Sequence, residues 1–453
     1  MNVSLKRTPP APQGHWLLGN LYHLQNDPLG LLIRNQKEFG DIIRFRFGPR
    51  NCYFLAHPDY IKHIFQTKAE NYSKQTRGHN YLKLLLGEGL ITSEGKLWQH
   101  QRQSAQMELR SEQVNHMIPN MVEAIQNTTQ KLESMAEQNT TIDVHLEMAR
   151  LALRVVDKTL FKIGFEDQEI DTIIYAMDFL DQSLSKRTRR ILNLPLSIPS
   201  PDNLTFKKNL NNIKNIIRTI VKKYKCQKMQ HKGLINQIFN DTTPVNCPFN
   251  GDQRIENEII TFLLSSHVST SIALSWTWYL LSQHPEVRSH LHQEIALILK
   301  NSITSVEDLT LLTYTEQIIY ESLRLYPPIW LTIRHAVHKD EIGGYDIPAG
   351  ATVMLSRYIT HRHPKFCEEP DLFNPERFSS DKRKNIHPFS FFPFGGGPRR
   401  CIGSHFAMME LKLAIAMLAS RFKFASLPQH SVQVHPLISL TPRRSLKMSL
   451  SRS

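Results

Sequence analysis

From Ile259 to Pro285 the chain runs for 27 residues without one Asp, Glu, Lys or Arg, and an uncharged run of that length has few places to go. It is long enough to cross a bilayer, for which about 20 apolar residues suffice. Its contents argue otherwise. Between Thr261 and Leu281 stand eight hydroxyl residues (Thr261, Ser265, Ser266, Ser269, Thr270, Ser271, Ser275 and Thr277) and His267. Lipid penalises such groups, whereas a protein interior lined with a polar groove can satisfy them. The run predicts a long buried helix.

At 453 residues and 41% hydrophobic, the chain has an ordinary globular composition and length enough for a large core. Five cysteines, Cys52, Cys226, Cys247, Cys367 and Cys401, are odd in number, with no Cys-x-x-Cys. They suggest neither a disulfide framework nor a zinc ribbon, and fit a reducing compartment. The first twenty residues meet Pro9, Pro10 and Pro12 instead of a continuous apolar stretch, so no signal peptide or anchor is expected. Alternation around Gly48-Pro49-Arg50 predicts a β-hairpin over 40–60. Helical periodicity predicts helices over 57–68, 96–110, 114–137, 144–163, 168–186, 204–230, 255–283, 285–300 and 313–325. Strands near Arg334–Val337, Glu341–Tyr345 and Thr352–Leu355 predict a second sheet, and a last helix spans about 403–421. Asp241–Gly251 is the only linker-like stretch. The expected fold class is mainly α with small β-sheets, as a single domain over 1–453.

The formal charge of +14 is not spread evenly. Between Ser183 and Lys232 thirteen basic residues face one acid, Asp202, a net +12, so the other 403 residues carry only +2. The second half of this segment is an amphipathic helix, with Phe206, Leu210, Ile213, Ile217, Ile220 and Tyr224 at helical spacing. A solvated helix face explains such charge, and so does attraction of an anionic substrate or lipid surface, with at most peripheral membrane contact through 183–232. No helix-turn-helix, zinc finger or RNA-binding signature supports nucleic acid.

The stretch that carries chemistry is Phe394-Gly395-Gly396-Gly397-Pro398-Arg399-Arg400-Cys401-Ile402-Gly403. Glycines let backbone approach a flat ligand, while a helix N-terminus with Arg399 and Arg400 favours thiolate over thiol, and free N–H groups can donate to the sulfur. Such a thiolate is a haem-iron ligand of the kind that promotes O–O cleavage. The pattern Phe-x-x-Gly-x-Arg-x-Cys-x-Gly resembles the haem-binding signature of the cytochrome P450 family at all its fixed positions. Upstream, Glu321-Ser322-Leu323-Arg324 places an acid and an arginine on one helical face. It is followed in family order by Leu325-Tyr326-Pro327-Pro328 and Asn374-Pro375-Glu376-Arg377-Phe378.

The resemblance covers essentially the whole chain and implies a cytochrome P450 fold with no fused reductase. It implies haem b (iron protoporphyrin IX) held by Cys401, with Phe394 and Gly403 in the same loop. Trp98, Arg102, Arg334 and Arg399 would hold the propionates, and Glu321, Arg324 and Arg377 would form a buried structural network. The implied activity is a monooxygenase that inserts one oxygen atom from O2 into a small lipophilic substrate, with carboxylate-bearing compounds among the candidates. Electrons would come from a separate ferredoxin or flavoprotein. Substrate-lining residues would come from 72–91, 179–194, 262–269 and 329–333. A soluble, cytoplasmic monomer of bacterial type is expected.

The long helix departs from the family pattern. Where Ala/Gly-Gly-x-Asp/Glu-Thr-Thr is expected, this chain reads Ser265-Ser266-His267-Val268-Ser269-Thr270. The acid that helps relay protons falls on Val268, which can move none, while Ser269 keeps the hydroxyl of the threonine it replaces. Ser269 and Thr270 are the expected oxygen-side hydroxyls, and His267 is either a proton relay or a satisfied buried histidine. Three readings follow: hydroxylation with water in place of the acid, peroxide use or rearrangement of an oxygenated substrate, and haem binding without turnover.

Overall fold

In the computed structural model the described residues are 7–138, 140–227, 233–240, 251–298, 306–428, 432–443 and 445–453. The expected linker at 241–251 lies, but for Gly251, outside them, as do Lys228 and Lys232 of the basic segment. The uncharged run forms the middle of one helix, Gly251–Gln283, most of it buried. Most of its hydroxyls are satisfied by the preceding turn, as Ser275 Oγ donates to Ser271 O at 2.6 Å and Thr277 Oγ1 to Ala273 O at 2.7 Å; Thr261 Oγ1 has no partner among the described residues. This back-bonding lets polar side chains sit inside a core without stranded donors.

Around this axis pack Val144–Val156, Pro201–Gln227, Thr313–Leu325 and Ser404–Ala419, with Asp167–Arg189 against the first two. Val144–Val156 lies closely along it, since its small and branched residues Ala149, Leu151, Ala152, Leu153 and Val155 are all buried. Asp143 starts that helix by accepting from the N–H of His145 at 3.1 Å, an N-cap contact of a kind that stabilises by about 1 kcal/mol. Ser404–Ala419 runs from the cysteine loop into the core, with eleven of its sixteen residues buried.

The strands correct one expectation. Thr352–Ser356 and Leu331–Ala336 do not make a second sheet but complete the first, because Arg50–Leu55 pairs in parallel with Thr352–Ser356 (Cys52 opposite Thr352, Leu55 opposite Leu355). The resulting order is Ile42–Phe47, Arg50–Leu55, Thr352–Ser356, Leu331–Ala336, Tyr72–Ser73. A pairing across 300 residues leaves no mark in local periodicity. Asp340–Ile342 and Tyr345–Ile347 make a separate hairpin, Val434–Pro436 pairs with Leu440–Pro442, and the C-terminal strand Lys447–Arg452 lies between Thr141–Asp143 and Phe422–Ser426. The short helices Leu21–Asn26, Pro28–Phe39 and Arg77–Leu86 were not anticipated.

Glu321, Arg324 and Arg377 come together where Thr313–Leu325 meets the turn Pro375–Phe378. Arg324 grips the Glu321 carboxylate with two bonds, Nε to Oε2 at 2.6 Å and Nη2 to Oε1 at 2.8 Å. Oε1 also accepts from the Asn374 N–H at 2.9 Å and from Arg377 Nε at 3.3 Å. Arg324 Nη1 and Nη2 continue to the carbonyls of Pro370 and Leu372. With Glu321 at 0% exposure, the carboxylate has no water to fall back on and its removal strands two guanidiniums. Glu321→Ala should therefore lower stability by about 3–5 kcal/mol, read from the urea unfolding midpoint. Glu133→Ala, at the exposed Arg421 pair, should cost under about 1 kcal/mol; equal effects would contradict this account.

Candidate active site

The cysteine loop is pressed against the rest of the fold by its glycines. Gly397 has φ +64°, and a Cβ there would lie 1.6 Å from the Phe65 carbonyl oxygen; at Gly396 it would meet the Phe389 ring at 2.6 Å. Only glycine fits such contact. The Cys401 N–H donates to Phe394 O at 2.8 Å, folding the loop back on itself. Cys401 faces a cavity of about 1400 Å³ bounded on the other side by Phe262–Ala273 of the long helix. The cysteine is accessible from that cavity although protein surrounds it.

Its thiol corrects the expectation of a thiolate favoured by the chain alone. Burial lifts the thiol above its usual value, and the opposing pull of a hydrogen bond from the Gly403 N–H and of Arg102, Arg357 and Arg400 does not overcome it. A metal ion at the sulfur would favour loss of the proton.

Beside the cysteine the cavity wall gathers cations. Arg334 is desolvated, with its guanidinium over the Phe65 ring at 5.4 Å and one donor to Ile333 O at 3.0 Å. Burial and the charge of Arg399 push it down to about 10. Arg102 gives Nη1 to Arg400 O at 2.7 Å. Arg399 lies 3.7 Å over the Trp98 ring and pairs with Glu94 at 2.8 Å. Lys74, which motif reading missed, donates to Ile91 O at 2.7 Å and is held well below its normal value by burial, then by Arg399 and Arg334. Arg357, also missed, is buried and gives its donors to Phe392 O, Ile329 O and Thr332 Oγ1. Around Lys74, Arg102, Arg334 and Arg399, Glu94 is the one carboxylate in an ion pair among the described residues. Such an excess of buried positive charge fits a ligand that brings negative charge, as the two carboxylates of haem would.

Opposite the cysteine, the hydroxyls of the long helix separate. Ser269 Oγ donates to Ser265 O at 2.8 Å, Ser265 Oγ to Thr261 O at 2.7 Å and Ser266 Oγ to Phe262 O at 2.5 Å, all three side chains lining the cavity. Thr270 does not share the oxygen-side role expected for it. Its one hydroxyl proton goes to Glu410 Oε2 at 3.1 Å, tying the long helix to Ser404–Ala419. His267 is buried and donates Nδ1–H to Leu263 O at 2.8 Å, and burial pushes its pKa down to about 4. Val268 lines the cavity with no proton to give.

The profile of the family described as Cytochrome P450 matches residues 9–448. Curated relatives include cyclooctat-9-en-7-ol 5-monooxygenase of Streptomyces melanosporofaciens, 29% identical over 93% of this chain and 90% of that protein. Pentalenene oxygenase of Streptomyces avermitilis is 26% identical over 97% and 96%, and LUTEIN DEFICIENT 5 of Arabidopsis thaliana 30% identical over 86% and 68%. The crystal structure of the cytochrome P450DA haem domain superposes with a TM-score of 0.88 at 21% identity, covering 99% of this chain and 98% of that one. The fold is that of a haem-thiolate oxygenase, and the chain belongs to the cytochrome P450 family. It is a monooxygenase that binds haem iron, acts on a small organic substrate and draws electrons from a redox partner.

Glu410 gives the site a pH dependence that can be measured. Burial holds its proton up to about 8, although the Thr270 hydroxyl pulls the other way, and Oε1 has no partner. In the unfolded chain the same carboxyl ionises near 4.5. Between those values the unfolded state releases a proton that the folded state keeps, so this contribution is intact below 4.5 and is lost as pH rises through about 8. Glu410→Gln should match the wild type in unfolding midpoint near the acid end of that window and exceed it at the alkaline end. Parallel pH profiles for the two proteins would contradict the assignment.

Proposed function

We propose that this protein is a haem b monooxygenase that inserts one atom of O2 into a lipophilic molecule, with Cys401 Sγ as the iron ligand. The observation that carries the reading is the placement of Cys401 in a glycine-built loop, inside a large cavity, beside four cations with one paired carboxylate. The haem would supply the iron at which O2 is activated by two electrons arriving singly. Gly403 N–H, with the charges of Arg102, Arg357 and Arg400, steadies the thiolate. Trp98, Arg102, Arg334 and Arg399 hold the propionates, and Lys74 joins them. Glu94 restrains Arg399 so that the cation keeps its orientation before the ligand arrives.

On the opposite wall Ser269 is the hydroxyl that serves the oxygen side. Its proton rests on Ser265 O, so delivery requires the hydroxyl to rotate and be replenished by water. Ser265 and Ser266 extend this hydroxyl row along the same helix. Val268 cannot replenish it, which favours a second reading in which peroxide serves as oxidant and proton delivery matters less. Phe262, Leu264, Ile329 and Ile333 line the same cavity and exclude bulk water from the substrate. The names of two relatives specify an alkenol and an alkene, which supports a lipophilic unsaturated or cyclic substrate for this chain.

The electron donor is a ferredoxin or flavoprotein and the enzyme a cytoplasmic monomer. Lys207, Lys208, Lys222 and Lys223 are exposed and none lines the cavity. The placement of Lys207 and Lys208, close in sequence to the exposed Ile191, Leu192, Leu194 and Ile198, supports peripheral contact with an anionic lipid surface over recruitment of an anionic substrate.

Ser269→Ala should lower the fraction of electrons recovered as product by ten-fold or more, given that proton transfer by a positioned group contributes about 10²–10⁴-fold. Ser269→Thr should equal or exceed the wild type. Both are compared with electron donor and O2 and with peroxide alone. If peroxide supports turnover and donor plus O2 does not, the second reading replaces the first.

A further inference from the structure

The cavity is also lined by His267 and Ser271 of the long helix, His145 at the start of Val144–Val156, and Asp178 and Asp181 of Asp167–Arg189. The tautomers of both histidines follow from their partners. Leu263 O can only accept, so His267 Nδ1 carries the proton and Nε2 is a lone-pair acceptor. Ser275 Oγ has already given its proton to Ser271 O, so at 3.1 Å from His145 Nδ1 it accepts, and His145 Nε2 is likewise an acceptor. Neither Nε2 has a hydrogen-bond partner among the described residues. His267 is only 3% exposed, so its free nitrogen can be satisfied only from within the cavity.

Asp178 adds a third acceptor. Among the described residues its carboxylate makes no hydrogen bond or ion pair. It is accessible to the cavity and otherwise enclosed, and burial with the nearby charges of Asp181 and Asp143 pushes it up to about 7. Asp181 is not equivalent, because its oxygens accept from the Ile438 N–H at 3.1 Å and from the Ser439 hydroxyl, fixing the loop before Leu440. The cation on this wall, Arg189, acts on Asp181 and donates to Pro436 O. Ser271 has spent its proton on Val268 O at 3.0 Å.

Acceptors that no neighbouring donor satisfies are costly when dry and select a ligand that brings the missing hydrogen. We propose that the substrate carries an O–H or N–H donor besides the carbon that is oxidised, and that Asp178, with His145 and His267, receives it. A carboxylate there is disfavoured by Asp178 and Asp181 once they are ionised. This inference rests on the monooxygenase reading, because it takes this cavity as the substrate site.

The test uses the haem-loaded protein and four ligands on one lipophilic skeleton: the alcohol, its methyl ether, a hindered tertiary amine and the carboxylic acid. Affinity is read from the substrate-induced spin-state shift, at a pH high enough to ionise Asp178. The alcohol, the protonated amine or both should bind about ten-fold more tightly than the ether, as expected for a hydrogen bond to a charged acceptor, and the acid should bind most weakly. A gain for the amine alone identifies an ammonium substrate, and a gain for the alcohol a hydroxyl. Asp178→Ala should bring donor ligands and ether within about two-fold, with ether affinity unchanged. Equal binding of all four by the unmodified protein overturns the proposal without recourse to a variant. So does a donor preference that survives in haem-loaded Asp178→Ala. A chain that takes up no haem with thiolate ligation fails the underlying reading before any ligand is added.

Discussion

Positive charge crowded into a desolvated wall is the constraint from which the rest of this molecule follows. Lys74, Arg102, Arg334 and Arg399 share a region in which, among the described residues, Glu94 pairs with Arg399 alone, and burial, reinforced by mutual repulsion, depresses the proton affinities of Lys74 and Arg334. Left to itself such a cluster opposes folding. It persists because the surrounding structure is over-determined, with Arg357 saturated by carbonyls and a hydroxyl, Arg399 stacked on Trp98, and the cysteine loop locked against Phe65. A bound dianion turns the same repulsion into binding energy. The protein treats a second set of buried charges in the opposite way. Around Glu321 every oxygen is paired and the network is closed, so that site is mechanical and the cation wall is chemical.

The long helix separates the two halves of the reaction. On its cysteine-facing side the hydroxyls of Ser265, Ser266 and Ser269 are bonded to their own helix, and Thr270 is tied to Glu410. On the side toward Val144–Val156 the helix offers His267, whose outward nitrogen accepts. Replacement of the usual acid by Val268 therefore does not leave the cavity without ionisable groups. Asp178 and Asp181 line it from Asp167–Arg189.

Much of this was legible before any coordinates. Cys401 with its glycines, and Glu321 with Arg324 three residues on, are read because covalent spacing alone brings their groups together. The uncharged run announced a buried helix because its hydroxyls have a local solution, back-bonding to the preceding turn. Arg377, Trp98, Arg102 and Arg334 came from motif order. What stayed hidden depends on distance in sequence. The parallel pairing of Arg50–Leu55 with Thr352–Ser356 has no periodic signature, and Lys74, Arg357 and Glu410 look like ordinary charges until their neighbours arrive from elsewhere. Asp178 lies on an amphipathic helix where an acid is normally a solvent contact. Its meaning depends on a cavity formed by other elements. Thr270 was misread because adjacent hydroxyls on a helix point about 100° apart, enough to send one to the cavity and the other to Glu410.

The central claim is that Cys401 delivers a thiolate to haem iron. The reduced, carbon-monoxide-bound absorption spectrum of the purified protein tests it most directly, with Cys401→His measured beside it. The account predicts the strongly red-shifted Soret band of a thiolate ligand in the wild type and its replacement by a histidine-type band in the variant, with haem still bound through the cation wall. A wild-type band at the histidine position, or a spectrum that Cys401→His leaves unchanged, would contradict it.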